Sequence, residues 1–146
     1  MVDELPEIAL GHLDVGQSLG TIEHRFGPEE VSRYAGFLRD GAPWFRPGAG
    51  SGAVRVHPMM IANDYSRLLR KHFRAPHLVL VQTEHTYAAP LWAGRLLFTS
   101  GKITDRGLRG GREYVTVETW TIDEDGTEVA RMHTTALLSM DKRAGA

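Results

Sequence analysis

Asp40 and His57 are among the side chains of this sequence whose types can move protons. Asp40 ends a helical pattern just before Gly41, and His57 stands before Pro58 at the start of another. A carboxylate and an imidazole together can take a proton from water and return it, which is general acid–base chemistry. Other chemistries find less support. The chain has no cysteine, which removes disulfides, thiolate nucleophiles and Cys-ligated metals. Of its seven histidines, His72, His77 and His85 lack a recognised ligand spacing, so no metal is expected. Gly48-Ala49-Gly50-Ser51-Gly52 lacks the strand-to-helix context and Gly-Lys pair of a phosphate loop. Arg106 to Arg112 is basic enough to meet phosphate groups but reads better as a solvated hairpin turn.

The elements that must position these residues follow from periodicity. His57 to Phe73 reads as one amphipathic helix, the only long one in the chain. Pro58 suits its first position, and Ile61, Tyr65, Leu68, Leu69 and His72 form a single stripe facing a core. Arg67, Arg70 and Lys71 lie on the other side and toward the C-terminus, where cations suit the helix dipole. Asp64 falls near the edge of the stripe and reads as a solvated carboxylate, since burial would be costly. Ser66 reads either as a neutral surface serine or as a substrate contact.

Upstream, Met1 to Leu13 is an arm with no clear period, and Asp14-Val15-Gly16-Gln17 is a turn leading into a strand over 18–26. Gly27-Pro28-Glu29-Glu30 starts a short helix that buries Val31, Tyr34, Ala35 and Leu38 and stops by Gly41. The loop from Gly41 to Val56 carries Trp44, Phe45 and Arg46, too aromatic for a plain linker. Four strands are expected downstream, over 77–89, 94–105, 112–123 and 128–140. The last shows the cleanest alternation, with Ala130, Met132, Thr134, Ala136, Leu138 and Met140 on one face. Asp123-Glu124-Asp125-Gly126 turns the final pair into a hairpin. A helix followed by an antiparallel meander is an α+β pattern, a sheet wrapped around one long central helix.

Composition bounds the class. At 146 residues and 42% hydrophobic, the chain is one globular domain over 1–146. Seventeen basic and eighteen acidic side chains leave a net charge of -1, which points to neither nucleic acid nor an anionic membrane as partner. The first residues are acidic where a signal peptide would be basic, and no apolar run reaches the roughly 20 residues of a membrane span. A soluble cytoplasmic protein is the expectation.

Several of these segments resemble one family. Asp14-Val15-Gly16-Gln17 is similar to the opening turn of the MaoC-like hydratase and hydroxyacyl-thioester dehydratase group, which has the hot-dog fold. Pro90-Leu91-Trp92-Ala93-Gly94 resembles its "P-V-x-x-G-D" turn, with Arg95 for the Asp. His57-Pro58-Met59-Met60-Ile61-Ala62 resembles its "H-G-M-L-x-A" segment opening the central helix, and Ser66 falls where many members carry a site serine. The resemblance runs from about Asp14 to about Met140. The family's catalytic signature is an Asp and a His five residues apart, after a Tyr-Ala pair. Tyr34-Ala35 and Asp40 match, but Phe45 stands in place of the His and Ala42 in place of an Asn. In this the stretch resembles the degenerate halves of the group, such as N-terminal repeats of double hot-dog dehydratases and the acyl-binding subunits of two-subunit enzymes.

The resemblance implies an acyl-thioester hydratase or dehydratase, needing no cofactor, with the acyl group carried on CoA or acyl carrier protein. It implies Asp40 as base, and His57 as a relocated imidazole. It also implies substrate contacts from Ser66 and Asp64, and from the Met59 and Met60 N–H groups at the helix start, free to face the thioester oxygen. The expected assembly is a homodimer, or a heterodimer with a related hot-dog subunit. Two alternatives stand beside it: a non-catalytic acyl-binding subunit, and a hot-dog thioesterase in which Asp64 activates water.

Overall fold

The computed structural model describes residues 4–47 and 53–140, so the glycine-rich run 48–52 lies outside the described residues. In chain order the elements are β1 (Ser18–His24), α1 (Pro28–Phe37), a 3-10 turn (Pro58–Ile61), α2 (Asp64–Arg70), β2 (Val79–Tyr87), β3 (Leu97–Arg109), β4 (Arg112–Asp123) and β5 (Glu128–Leu137). The five strands form one antiparallel sheet in the order β1-β3-β4-β5-β2. β3, β4 and β5 are consecutive hairpins. β4 keeps the bounds expected of it, and Gly110 and Gly111, at φ 59° and 77°, supply the two left-handed residues of the tight β3–β4 turn. On β5 the expected face is buried from Ala130 to Leu138, and Met140 is exposed.

The central helix is the main departure. The expected long helix over 57–73 is two short pieces, a 3-10 turn and a seven-residue α-helix, separated at Ala62 and Asn63. The cause is local. Met60 N–H donates to the His57 carbonyl and Ala62 N–H to the Met59 carbonyl, closing the tighter i to i−3 rings. Asn63, a residue that competes poorly in helix interiors, then sits at φ −95°, ψ 11°, in the bridge region, and its carbonyl starts a fresh helix by accepting from Ser66 and Arg67. The stripe survives the break, since Ile61, Tyr65, Leu68 and Leu69 are all buried.

α2 lies across the sheet. Tyr65, Leu68 and Leu69 pack with Leu19, Ile103, Val115, Val117 and Ala136, and Ile8 and Leu13 from the N-terminal segment join the same cluster. The approach is close at Gly101 of β3, where a Cβ would stand 2.8 Å from a Leu68 methyl. A second cluster joins Val31 and Ala35 of α1 to Phe45, Val54, Val56, Met60, Ile61 and Leu91. That cluster fixes α1 and the aromatic loop beside the start of the central helix. β2 is an edge strand whose Leu80, Val81 and Tyr87 are exposed. Among the described residues no helix is long and apolar enough to cross a membrane.

Candidate active site

α1 ends in a way that delivers Asp40. Arg39 takes φ 57°, in the left-handed region that favours glycine. Its N–H bonds to the Gly36 carbonyl, and that of Asp40 bonds back to the Ala35 carbonyl at 2.8 Å. Those two bonds are the Schellman ending of a helix, here made without glycine. The Asp40 carboxylate then accepts from Ala42 N–H at 3.2 Å through Oδ1 and lies 3.1 Å from His57 Nε2 through Oδ2. His57 Nδ1 accepts from Met59 N–H at 3.2 Å, so the neutral ring carries its proton on Nε2 and donates it to Asp40. The structure thus brings together the two residues expected to share the proton chemistry. Their side chains are unequal in access, 37% exposed for Asp40 and 10% for His57.

Two aromatic rings set the imidazole. Tyr34 of α1 meets it edge-on with centroids 5.5 Å apart, and Phe45 lies against it at 4.8 Å. Phe45 stands where the family resemblance led a histidine to be expected. His57 therefore places its ring against the side chain that occupies the position expected of an imidazole. Phe45 is shared, because it also forms part of the wall of a pocket of about 400 Å³ together with Trp44, Arg55, Val56, Pro58, Tyr87 and Leu91. Neither Asp40 nor His57 belongs to that lining. Tyr87, at the end of β2, closes one side by donating from its hydroxyl to the Pro58 carbonyl at 2.9 Å.

Although the residue as a whole is exposed, desolvation of its hydroxyl pushes Tyr87 up to about 12 from 10.0. The folded state favours the neutral phenol, so this contribution to stability is intact below pH 10 and is lost as pH rises from 10 to about 12. Alkaline absorbance titration is expected to show a late-titrating tyrosine that Tyr87→Phe removes. Loss of an earlier-titrating tyrosine from the curve of the variant, with the latest step kept, would reject the assignment.

Met59 and Met60 do not provide the free donors expected of them. Met59 N–H is held by the His57 ring, and Met60 N–H by the His57 carbonyl. The imidazole that supplies the pair also caps the turn whose N–H groups were expected to be free.

Asp64 is not solvated, as its position in the helix had suggested. Its side chain is fully buried, with His24 Nε2 within 3.0 Å of both oxygens and Arg67 Nη1 on Oδ1. His24 comes from β1, stacks on Phe26 with centroids 4.8 Å apart, and ties that strand to the first turn of α2. The cluster is separate from the Asp40–His57 pair in its hydrogen bonds. Nothing local in the sequence marks His24, which lies 40 residues from its partner. Its one signal is a polar side chain inside a strand, followed two residues later by an aromatic.

Ser66, two residues further along, is buried with its Oγ unpartnered among the described residues. A buried hydroxyl without a partner costs stability. Ser66→Ala is therefore expected to leave the free protein equally or more stable by thermal denaturation. A loss of more than about 1 kcal/mol would show that the hydroxyl has a structural partner.

No protein-family model and no curated protein sequence matches this chain. Solved structures do resemble it. The (R)-hydratase from A. caviae involved in PHA biosynthesis superposes with a TM-score of 0.68 at 21% identity, over 85% of this chain and 96% of that one. A MaoC-like dehydratase from Rhodospirillum rubrum gives 0.70 at 20% identity, over 89% and 95%. The HadBC (3R-hydroxyacyl-ACP dehydratase) complex from Mycobacterium tuberculosis gives 0.72 at 18% identity, over 84% and 96%. The antiparallel sheet laid over a central helix is thus the hot-dog fold, in the form that MaoC-like dehydratases and (R)-hydratases share.

Proposed function

We propose that this chain is a MaoC-like acyl-thioester hydratase or dehydratase, a single hot-dog domain over 1–146 with a rebuilt acid–base pair. The observation that carries the reading is the 3.1 Å contact between Asp40 and His57, with the carboxylate still open to solvent. In hydration, Asp40 takes a proton from water as the water oxygen bonds to C3 of a 2-enoyl thioester. The carboxyl then gives that proton to C2, so one water is added and Asp40 returns to its ionised form. Dehydration is the same path in reverse, with Asp40 removing the C2 proton and returning it to the leaving hydroxyl. His57, donating from Nε2, holds the carboxylate in the orientation this requires. The pure protein is tested with crotonyl-CoA: loss of the enoyl absorbance without release of free thiol supports hydration, and release of thiol would mean hydrolysis instead.

The alternative of a non-catalytic acyl-binding subunit draws on Phe45 and on the engaged Met59 and Met60 N–H groups, which leave the thioester oxygen without those donors. Activity that appears only on mixing with a related subunit bearing an intact Asp and His would favour it. The thioesterase alternative is weakened, because both oxygens of Asp64 are occupied and out of reach of water. For assembly, the free edge of β2 with Leu80, Val81 and Tyr87 exposed is the strand that a second hot-dog chain would extend. Light scattering on a sizing column is expected to give twice the monomer mass, and a clean monomer at micromolar concentration would contradict this.

A further inference from the structure

Arg55 is the charged side chain in the lining of the pocket that Phe45 shares with the His57 ring. Its guanidinium lies over two indoles, 5.8 Å from the centre of Trp44 and 5.5 Å from that of Trp92. Both distances fall within cation–π range, so the planar group is held in place without a counter-charge. The backbone adds to this, since Arg55 N–H donates to the Trp44 carbonyl at 2.8 Å and Arg55 bridges Trp92 across a short antiparallel contact. Among the described residues the carboxylates are paired elsewhere or solvated, and none lies within ion-pair distance of Arg55. Trp44, Phe45, Val56, Pro58 and Leu91 give apolar walls, and the hydroxyl of Tyr87 is engaged by the Pro58 carbonyl.

An oriented cation in an apolar pocket selects for an anion. Phe45 joins this pocket to the Asp40–His57 pair, since it lines the one and lies against the imidazole of the other. We infer that Arg55 is a specificity residue that receives a carboxylate at the far end of a short acyl group. This assignment rests on the hydratase reading for the identity of the substrate's other end. A guanidinium edge matches a carboxylate through two parallel hydrogen bonds, which a neutral alkyl terminus cannot replace.

The test compares glutaconyl-CoA, whose enoyl chain ends in a carboxylate, with crotonyl-CoA and with CoA alone, by tryptophan fluorescence titration and by hydration rate. The wild-type protein is expected to bind glutaconyl-CoA about 10- to 100-fold more tightly than crotonyl-CoA. Arg55→Gln is expected to bring that ratio close to one, and Arg55→Lys to restore only part of it. A wild-type ratio near one, or a ratio that survives Arg55→Gln, overturns the assignment. So does an equal loss of affinity for CoA alone in Arg55→Gln, which would make a phosphate of the carrier the anion that Arg55 meets. If the binding ratio holds and neither thioester is hydrated, the hydratase reading fails while the carboxylate site stands.

Discussion

Asp40→Asn is expected to lower kcat for enoyl-thioester hydration by about 10²–10⁴-fold, the usual contribution of a positioned general base. The amide has the shape of the carboxylate but cannot take the proton from water. It also faces two donors, Ala42 N–H and His57 Nε2–H, with only one acceptor oxygen, so one contact becomes donor against donor. That adds a stability cost of about 1 kcal/mol, too small to unfold the protein, and circular dichroism should show the fold intact. His57→Ala is expected to give a comparable loss, because it frees the carboxylate to rotate and releases Met59 N–H. The two residues act as a unit, so the double variant should be about as slow as the slower single one. Losses that instead multiply would show that the two act independently.

The second large effect falls on stability. Asp64→Ala is expected to cost about 2–4 kcal/mol, read as a lower urea midpoint at unchanged slope. Removing the carboxylate strands His24 Nε2, which is 12% exposed and has no other acceptor among the described residues, while Arg67, 48% exposed, can turn to water. Arg67→Ala should for that reason cost much less, within about 1 kcal/mol. A variant of Asp64 as stable as the wild type would mean that the buried pair does not hold β1 to α2. It would also reopen a chemical role for that carboxylate.

These two sites show what the sequence could and could not reveal. Asp40 became a candidate through the family resemblance, as the carboxylate that its motif keeps after Tyr34-Ala35. His57 became a candidate through the resemblance of its segment to the family's helix entry, and nothing in the spacing from residue 40 to residue 57 implies their 3.1 Å contact. The strands were read from alternation, and β4 and β5 start where their patterns start. Asp64 was misread because its environment is set by His24, and a long-range pair leaves no periodic trace. The long helix was misread because apolar spacing continues smoothly through Ala62 and Asn63, while the hydrogen bonds do not. The Met59 and Met60 donors were lost to the same histidine that completes the pair, a competition visible only once the side chain is placed.

On the proposed function, the Asp40–His57 pair of this chain moves the proton in water addition. The most direct measurement is the rate of enoyl absorbance loss from crotonyl-CoA with pure wild-type protein and with Asp40→Asn, under free-thiol detection. The expected result is loss of the enoyl signal without thiol in the wild type, slowed about 10²–10⁴-fold in the variant. Equal rates in the two proteins, thiol release, or no reaction by the wild type alone would contradict it.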